Sequence, residues 1–397
     1  MTKNDLPACL GGKPVCRGVN APWPIIHKSD IRTVTRVLRS GKISKNGGLY
    51  NKQLETEVAR KNGRKYAITV ANATVGLELA LRALGIKSGD EVIVPGYTFY
   101  SSVSSIVVVG ATPVICDIDV ETLNISDKFA EAITEKTRAV MIVDWAGYAV
   151  DVSRIRSLIG DRDIRIISDS AQSFGSVGDS DTDYADISVY SFQKSKNLTC
   201  GEGGAVATDD IELYKYMYAL HNCGRDESCK WYEHKYNGTN IRLSEICAAL
   251  AVSQLSKFDR EVETRKKNAE LLISALNQST VFKVLQTEPI KRRRIYHSLA
   301  ILCNEKFGSA EEYVMYLRSE GVPVIPSYEK TCDMQEAFMT SGGRCADELT
   351  GCHFVCGKAI LIPNELLLVD SKNMRLVVKA FEKIEKYFLK KAEKENG

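Results

Sequence analysis

The chain has 397 residues, of which 44% are apolar and 26% charged, enough to bury a large core and to exclude bulk disorder. At roughly 150 residues per domain, two domains are expected. Lys plus Arg number 53 against 50 Asp plus Glu, and a net charge of +3 is too balanced for the broad basic surface that nucleic acid demands, so no nucleic-acid partner is expected.

Met1-Thr2-Lys3-Asn4-Asp5 leads into no apolar signal core, and no run reaches the roughly 18 uncharged apolar residues that cross a bilayer. A cytoplasmic location without membrane contact is expected. The 12 Cys are scattered and read as reduced, buried thiols rather than a disulfide framework. Cys332, Cys345, Cys352, His353 and Cys356 lack the paired knuckles of a zinc site, so no metal is expected.

From 65 to 208, β-rich runs alternate with helical stretches: 66–70, 91–94, 113–116, 139–143, 164–167, 187–190 and 205–207. Several are continuously apolar, as in strands covered on both faces, which predicts a mostly parallel seven-stranded sheet in an α/β domain. Ligands of such sheets sit at the carboxyl ends of the strands. Residues 243–276 turn helical and predict a long connector. Beyond it, strand-like runs at 298–302 and 359–362 among helical segments predict a small α+β domain. The division is therefore 1–277, including the N-terminal segment and the connector, and 278–397. The basic run Lys291-Arg292-Arg293-Arg294 could hold an anionic substrate, but a solvated turn is the more common reading and is the one expected.

Three stretches carry chemistry. Ile166-Ile167-Ser168-Asp169-Ser170-Ala171-Gln172 brings a carboxylate out of an apolar strand, with a small residue and an amide behind it. Ser191-Phe192-Gln193-Lys194-Ser195-Lys196 places a lysine at a strand exit, before the glycine turn Gly201-Glu202-Gly203-Gly204. Asn72-Ala73-Thr74 ends one strand and opens a helix, leaving backbone N–H groups for an anion. An acid, an amine and an anion cradle together meet the needs of pyridoxal 5'-phosphate: a partner for the ring nitrogen, a Schiff-base lysine and a phosphate site.

With these motifs go Gly89-Asp90-Glu91-Val92-Ile93-Val94-Pro95, Thr98-Phe99, Gly110-Ala111-Thr112-Pro113-Val114 and Gly238-Thr239-Asn240-Ile241-Arg242, in order along nearly the whole chain. The sequence thereby resembles the DegT/StrS-type sugar aminotransferases, pyridoxal phosphate enzymes of fold type I. Around 191–206 it is most similar to the branch that aminates cyclitols such as inosose or makes aminohydroxybenzoate. The resemblance implies that Lys196 is the Schiff-base lysine and proton carrier, and that Asp169 keeps the ring nitrogen protonated. It further implies Gln172 near the ring hydroxyl, Ala171 and Phe99 on the two ring faces, and Ala73, Thr74 and Ser191 around the phosphate. Asn240 would reach the phosphate of a neighbouring subunit, which implies a homodimer with shared active sites. The implied reaction is ping-pong transfer of an amino group from glutamate or glutamine to a keto sugar, nucleotide-linked or not, or to a cyclitol.

Departures fall on the substrate side. Asp144-Trp145 stands where many members have His, Ser168 where an acid is frequent, Ala73 where Gly is common, and Pro326-Ser327-Tyr328 where relatives place substrate-contacting His or Tyr. Two alternatives stay open: a dehydrating or aromatising lyase of the aminohydroxybenzoate synthase type, and a regulatory homologue without turnover. Lysine at 196 disfavours the dehydratase branch that carries histidine there. His27, His221, His234, His297 and His353 are read as surface or packing residues, Cys200 as a small filler, and Trp145 and Tyr148 as either pocket walls or core.

Overall fold

A computed structural model describes residues 5–17, 19, 22–177, 184–290 and 292–395. All seven expected strands form: β1 (Tyr66–Val70), β2 (Glu91–Pro95), β3 (Thr112–Cys116), β4 (Thr137–Val143), β5 (Arg165–Asp169), β6 (Ile187–Ser191) and β7 (Gly204–Thr208). Four short or small-sheet strands follow, β8 (Phe282–Val284), β9 (Ser298–Cys303), β10 (Ile325–Pro326) and β11 (Arg344–Cys345), and then β12 (Ala359–Pro363). The helices are α1 (Lys28–Ser40), α2 (Tyr50–Lys61), α3 (Ala73–Ala83), α4 (Ser101–Val108), α5 (Val152–Ile159), α6 (Ile211–His221), α7 (Glu245–Leu276), α8 (Ala310–Ser319), α9 (Glu336–Met339), α10 (Thr350–Val355) and α11 (Ser371–Glu395). Among the described residues, no helix is long and apolar enough to cross a membrane.

The large sheet runs β1-β7-β6-β5-β4-β2-β3-β11, parallel except for β7, which opposes both neighbours. Val, Ile and Ala fill its central strands, which are buried along their length because helices cover both faces. The expected seven strands gain an eighth from the C-terminal part of the chain, where β11 pairs with β3 at Arg344↔Val114. The second sheet, β10-β12-β9-β8, is antiparallel. The connector α7 serves both cores: Ala248, Leu255, Phe258 and Val262 pack toward the large sheet, and Ala269, Leu272 and Leu276 toward the small one. Packing also crosses the chain division in the other direction, because Cys16 and Val19 lie in the core of the small sheet.

The basic run corrects its sequence reading. Lys291 lies outside the described residues, but Arg293 donates to Glu263 at 2.8 Å and to Asp259 at 3.3 Å. Arg294 stacks 4.3 Å from the Tyr296 ring and donates to the Gln286 carbonyl. Arg294 is thus packed against a ring and a carbonyl rather than solvated, while Arg293 stays at the surface in ion pairs with exposed carboxylates.

Candidate active site

The carboxyl ends of β1, β2, β4, β5 and β6 converge on a cavity of about 630 Å³. Eight of the nine residues singled out in the sequence line it: Ala73, Thr74, Phe99, Asp169, Ala171, Gln172, Ser191 and Lys196. Asn240 does not; it is exposed on the chain's surface, where its Oδ1 accepts from the Arg242 backbone N–H at 3.4 Å.

Each side chain is placed by its element. The carbonyl end of β1 passes into α3, whose first N–H groups have no intrahelical acceptor. Asn72 caps one of them, accepting from Val75 N–H at 3.0 Å, and leaves those of Ala73 and Thr74 at the cavity wall. Ala73 is helical, with no positive φ, so a methyl is tolerated where relatives use glycine. The close approach comes instead from Gly204, which sits between Val70 and Ser191 in the sheet. A Cβ there would lie 2.9 Å from the Ala73 nitrogen and 2.7 Å from the Tyr190 carbonyl. Only glycine lets the helix N-terminus and Ser191 share one anion cradle.

Asp169 ends β5, nearly buried. Its Oδ2 accepts from Ser102 Oγ at 2.7 Å and its Oδ1 from Ala171 N–H at 3.2 Å. Burial pushes its carboxyl above the usual carboxylate range, with the Ser102 and Ala171 bonds and the Lys196 charge acting against that rise. Burial likewise holds the Lys196 amine below the usual lysine range, and Asp169 counters it. The Gln172 Oε1 accepts from Ala146 N–H at 2.7 Å, which turns the amide NH₂ toward the cavity. Phe99 is 64% exposed, an unusual state for a large ring and one suited to a flat partner across the cavity.

The Lys196 loop is tightly wound. Gln193 Oε1 accepts from Ser195 N–H at 2.7 Å and from Ser195 Oγ at 2.8 Å, while Gln193 O accepts from Lys196 N–H at 2.9 Å. The donor set fits a phosphorylated pyridine aldehyde: an anion cradle at one end, a buried carboxylate at another, and between them an amine inclined to neutrality.

Sequence reasoning missed Ser102 and His297, and it named Tyr328 and Asp144 only as departures on the substrate side. Ser102 lies fully buried just behind the cavity wall, beside Asp169; it is one of four serines among the eight residues of α4, Ser101, Ser102, Ser104 and Ser105, so no sequence signal singled it out. His297, read as a packing histidine, instead lines the cavity beside Lys196, and burial and the Lys196 charge push its pKa well down. Tyr328 lines the cavity too, edge-on to Tyr97 and Trp145, so the Trp145 ring packs in an aromatic wall behind the pocket. Asp144 is buried beneath the site, accepting from Val150 N–H at 2.9 Å and from the hydroxyls of Ser170 at 3.0 Å and Ser173 at 2.6 Å.

The model of the DegT/DnrJ/EryC1/StrS aminotransferase family matches residues 24–382. The chain is 39% identical over 259 residues, 64% of its length and 70% of the relative's, to GDP-perosamine synthase of Escherichia coli O157:H7. It is 35% identical over 259 residues, 63% of its length and 66% of the relative's, to 3-amino-5-hydroxybenzoate synthase of Amycolatopsis mediterranei. Its fold superposes on an aminotransferase of Psychrobacter cryohalolentis with a TM-score of 0.85 at 28% identity, covering 91% of this chain and 98% of that one.

Proposed function

The chain belongs to the DegT/DnrJ/EryC1/StrS aminotransferase family, and from that premise we propose that it moves an amino group from glutamate or glutamine to a ketone of a sugar or cyclitol. It is a pyridoxal 5'-phosphate-dependent aminotransferase; the cofactor, when bound, supplies the electron sink and carries the amino group. The observation that carries the reading is the meeting of Lys196, Asp169 and the α3 N-terminus around one cavity.

In this reading Lys196 links the cofactor and, once released, moves the proton, a task its burial-lowered basicity suits. Asp169 accepts the ring N–H, held in place by Ser102. The Gln172 NH₂ donates to the ring hydroxyl, Ala171 leaves room for one ring face and Phe99 covers the other. Ala73 and Thr74 N–H and the Ser191 hydroxyl hold the phosphate. Asn240 would serve the site of a second copy, and the neighbouring Trp231 and Tyr232, 86% and 78% exposed, would be covered in the same homodimer. The large domain is built mainly from residues within 1–277 and the small one mainly from residues within 278–397, with Cys16 and Val19 lent to the small core and β11 to the large sheet, and the ketone, nucleotide-linked or not, enters past His297 and Tyr328.

The test is visible absorbance of purified protein before and after adding glutamate and, separately, glutamine. Bleaching of the lysine-bound band to the amine form by one of them supports transamination and names the donor. A bound cofactor that ignores every donor overturns it and favours the dehydrating chemistry or a protein without turnover.

A further inference from the structure

Arg265 is the largest side chain with no exposed surface, a costly place for a guanidinium. No hydrogen-bond partner meets Nη1 or Nη2 among the described residues, and the Glu261 carboxylate stays 3.8 Å from Nη2. Burial brings its pKa down to about 10, so it keeps its charge at neutral pH. A weakly paired buried cation calls for a reason other than an ion pair.

Its two firm contacts lead to one place. The guanidinium lies 5.0 Å from the Trp23 ring, and Trp23 Nε1–H donates to the Lys194 carbonyl at 2.8 Å. Arg265 Nε–H donates to the Asn364 carbonyl at 3.3 Å, and Asn364 Nδ2–H donates to the Ser195 carbonyl at 2.5 Å. Consecutive carbonyls just before Lys196 are thus gripped by two side chains from opposite ends of the sequence, both resting on one guanidinium from α7. We propose that Arg265 is a positioning residue that, through Trp23 and Asn364, aims the Lys196 amine into the cavity. The role rests on the reading of Lys196 given above.

The planar fork explains the residue type, because a lysine can neither stack flat on the indole nor reach the Asn364 carbonyl through a side-on N–H. The reaction that reports the aim is capture of pyridoxal 5'-phosphate by cofactor-free protein. The amine nitrogen bonds to the aldehyde carbon, the carbonyl oxygen leaves as water, and a visible band appears. Pyridoxine 5'-phosphate, an alcohol that cannot form the bond, reports the cavity alone.

Trp23→Phe and Asn364→Ala should each slow capture about tenfold, and Arg265→Met about a hundredfold, while pyridoxine 5'-phosphate affinity stays within about twofold of wild type. Trp23→Phe added to Arg265→Met should slow capture less than about twofold more, since the shared platform is already gone. Arg265→Lys should not rescue. Should Arg265→Met fail to fold, Trp23→Phe and Asn364→Ala still decide. Capture at the wild-type rate in both, or pyridoxine 5'-phosphate affinity falling in step with capture, overturns the positioning role. Wild-type protein that captures no pyridoxal 5'-phosphate overturns the parent reading as well.

Discussion

Ser102 Oγ, in the first turn of α4, donates to Asp169 Oδ2 at 2.7 Å, and Ser102 N–H donates to the Phe99 carbonyl at 3.1 Å, so one serine ties the buried acid to the segment that carries the exposed Phe99 ring. The bond opposes a rise that burial imposes on the carboxyl. Ser102→Ala removes the opposition, so Asp169 takes up its proton at a higher pH. The acid limb of cofactor binding should move up by about one pH unit, the equivalent of a hydrogen bond to a charged group worth about 1.5 kcal/mol. A pH titration of cofactor affinity reads the midpoint; an unmoved midpoint means that Ser102 does not tune the acid.

Lys196→Ala should abolish the borohydride-reducible adduct and lower transamination by at least about 10⁴-fold, while leaving cofactor held by the cradle. The pair also sets a sign. Asp169 raises the Lys196 amine against the lowering by burial, so Asp169→Asn lets that amine lose its proton at still lower pH. The pH midpoint of cofactor capture by the apoprotein should therefore shift down in Asp169→Asn. An unmoved midpoint would show that the Asp169 charge does not act on the amine.

Much of this was legible because each signal was local. A run such as Ala139-Val140-Met141-Ile142-Val143 is buried on both faces, so its strand needs no partner to be recognised, and Asp169, Ser191 and Ala73 follow from where such strands stop. What escaped depended on distance in sequence. Ser102 is 67 residues from Asp169, and His297 reaches the cavity from the small sheet's side, where no spacing links it to Lys196. Strand β11 has two residues and no periodicity to read; its place on β3 is decided by packing. The solvated reading of the basic run failed at Arg294 for the same reason, since the Tyr296 ring and Gln286 carbonyl that hold it cannot be foreseen from four charges in a row.

The resemblance implies a substrate-side position for Asp144, but its carboxylate is spent on Val150 N–H and the hydroxyls of Ser170 and Ser173. Asp144→Ala leaves the buried Val150 N–H without an acceptor, while Ser170 and Ser173 keep weaker partners in Ser168 Oγ and the Ser170 carbonyl, and it should cost about 2 kcal/mol of unfolding free energy in urea. Asp144→Asn keeps acceptors on one side, and the serine hydroxyls can rotate, so it should lose less than half of that. A stable Asp144→Ala protein with a changed choice of ketone would instead return the residue to the substrate side.

Asn240 presents the sharpest geometric question, because it is exposed and outside the cavity that the other eight residues share. If it serves a partner's phosphate, Asn240→Ala should weaken cofactor binding about tenfold or more, and the defect should complement in trans. Mix Asn240→Ala with Lys196→Ala subunits after dissociation and reassociation. Half of the dimers formed at random carry both variants, and in each one site has the wild-type lysine from one chain and the wild-type amide from the other. Assayed with cofactor held well below the Asn240→Ala dissociation constant, where each variant alone is nearly inactive, the mixture should recover about a quarter of wild-type activity. A residue acting within its own chain gives no such recovery, since the Lys196→Ala subunit would keep its intact amide beside a missing lysine. Recovery near a quarter therefore places Asn240 across a two-fold interface, and none confines each site to a single chain.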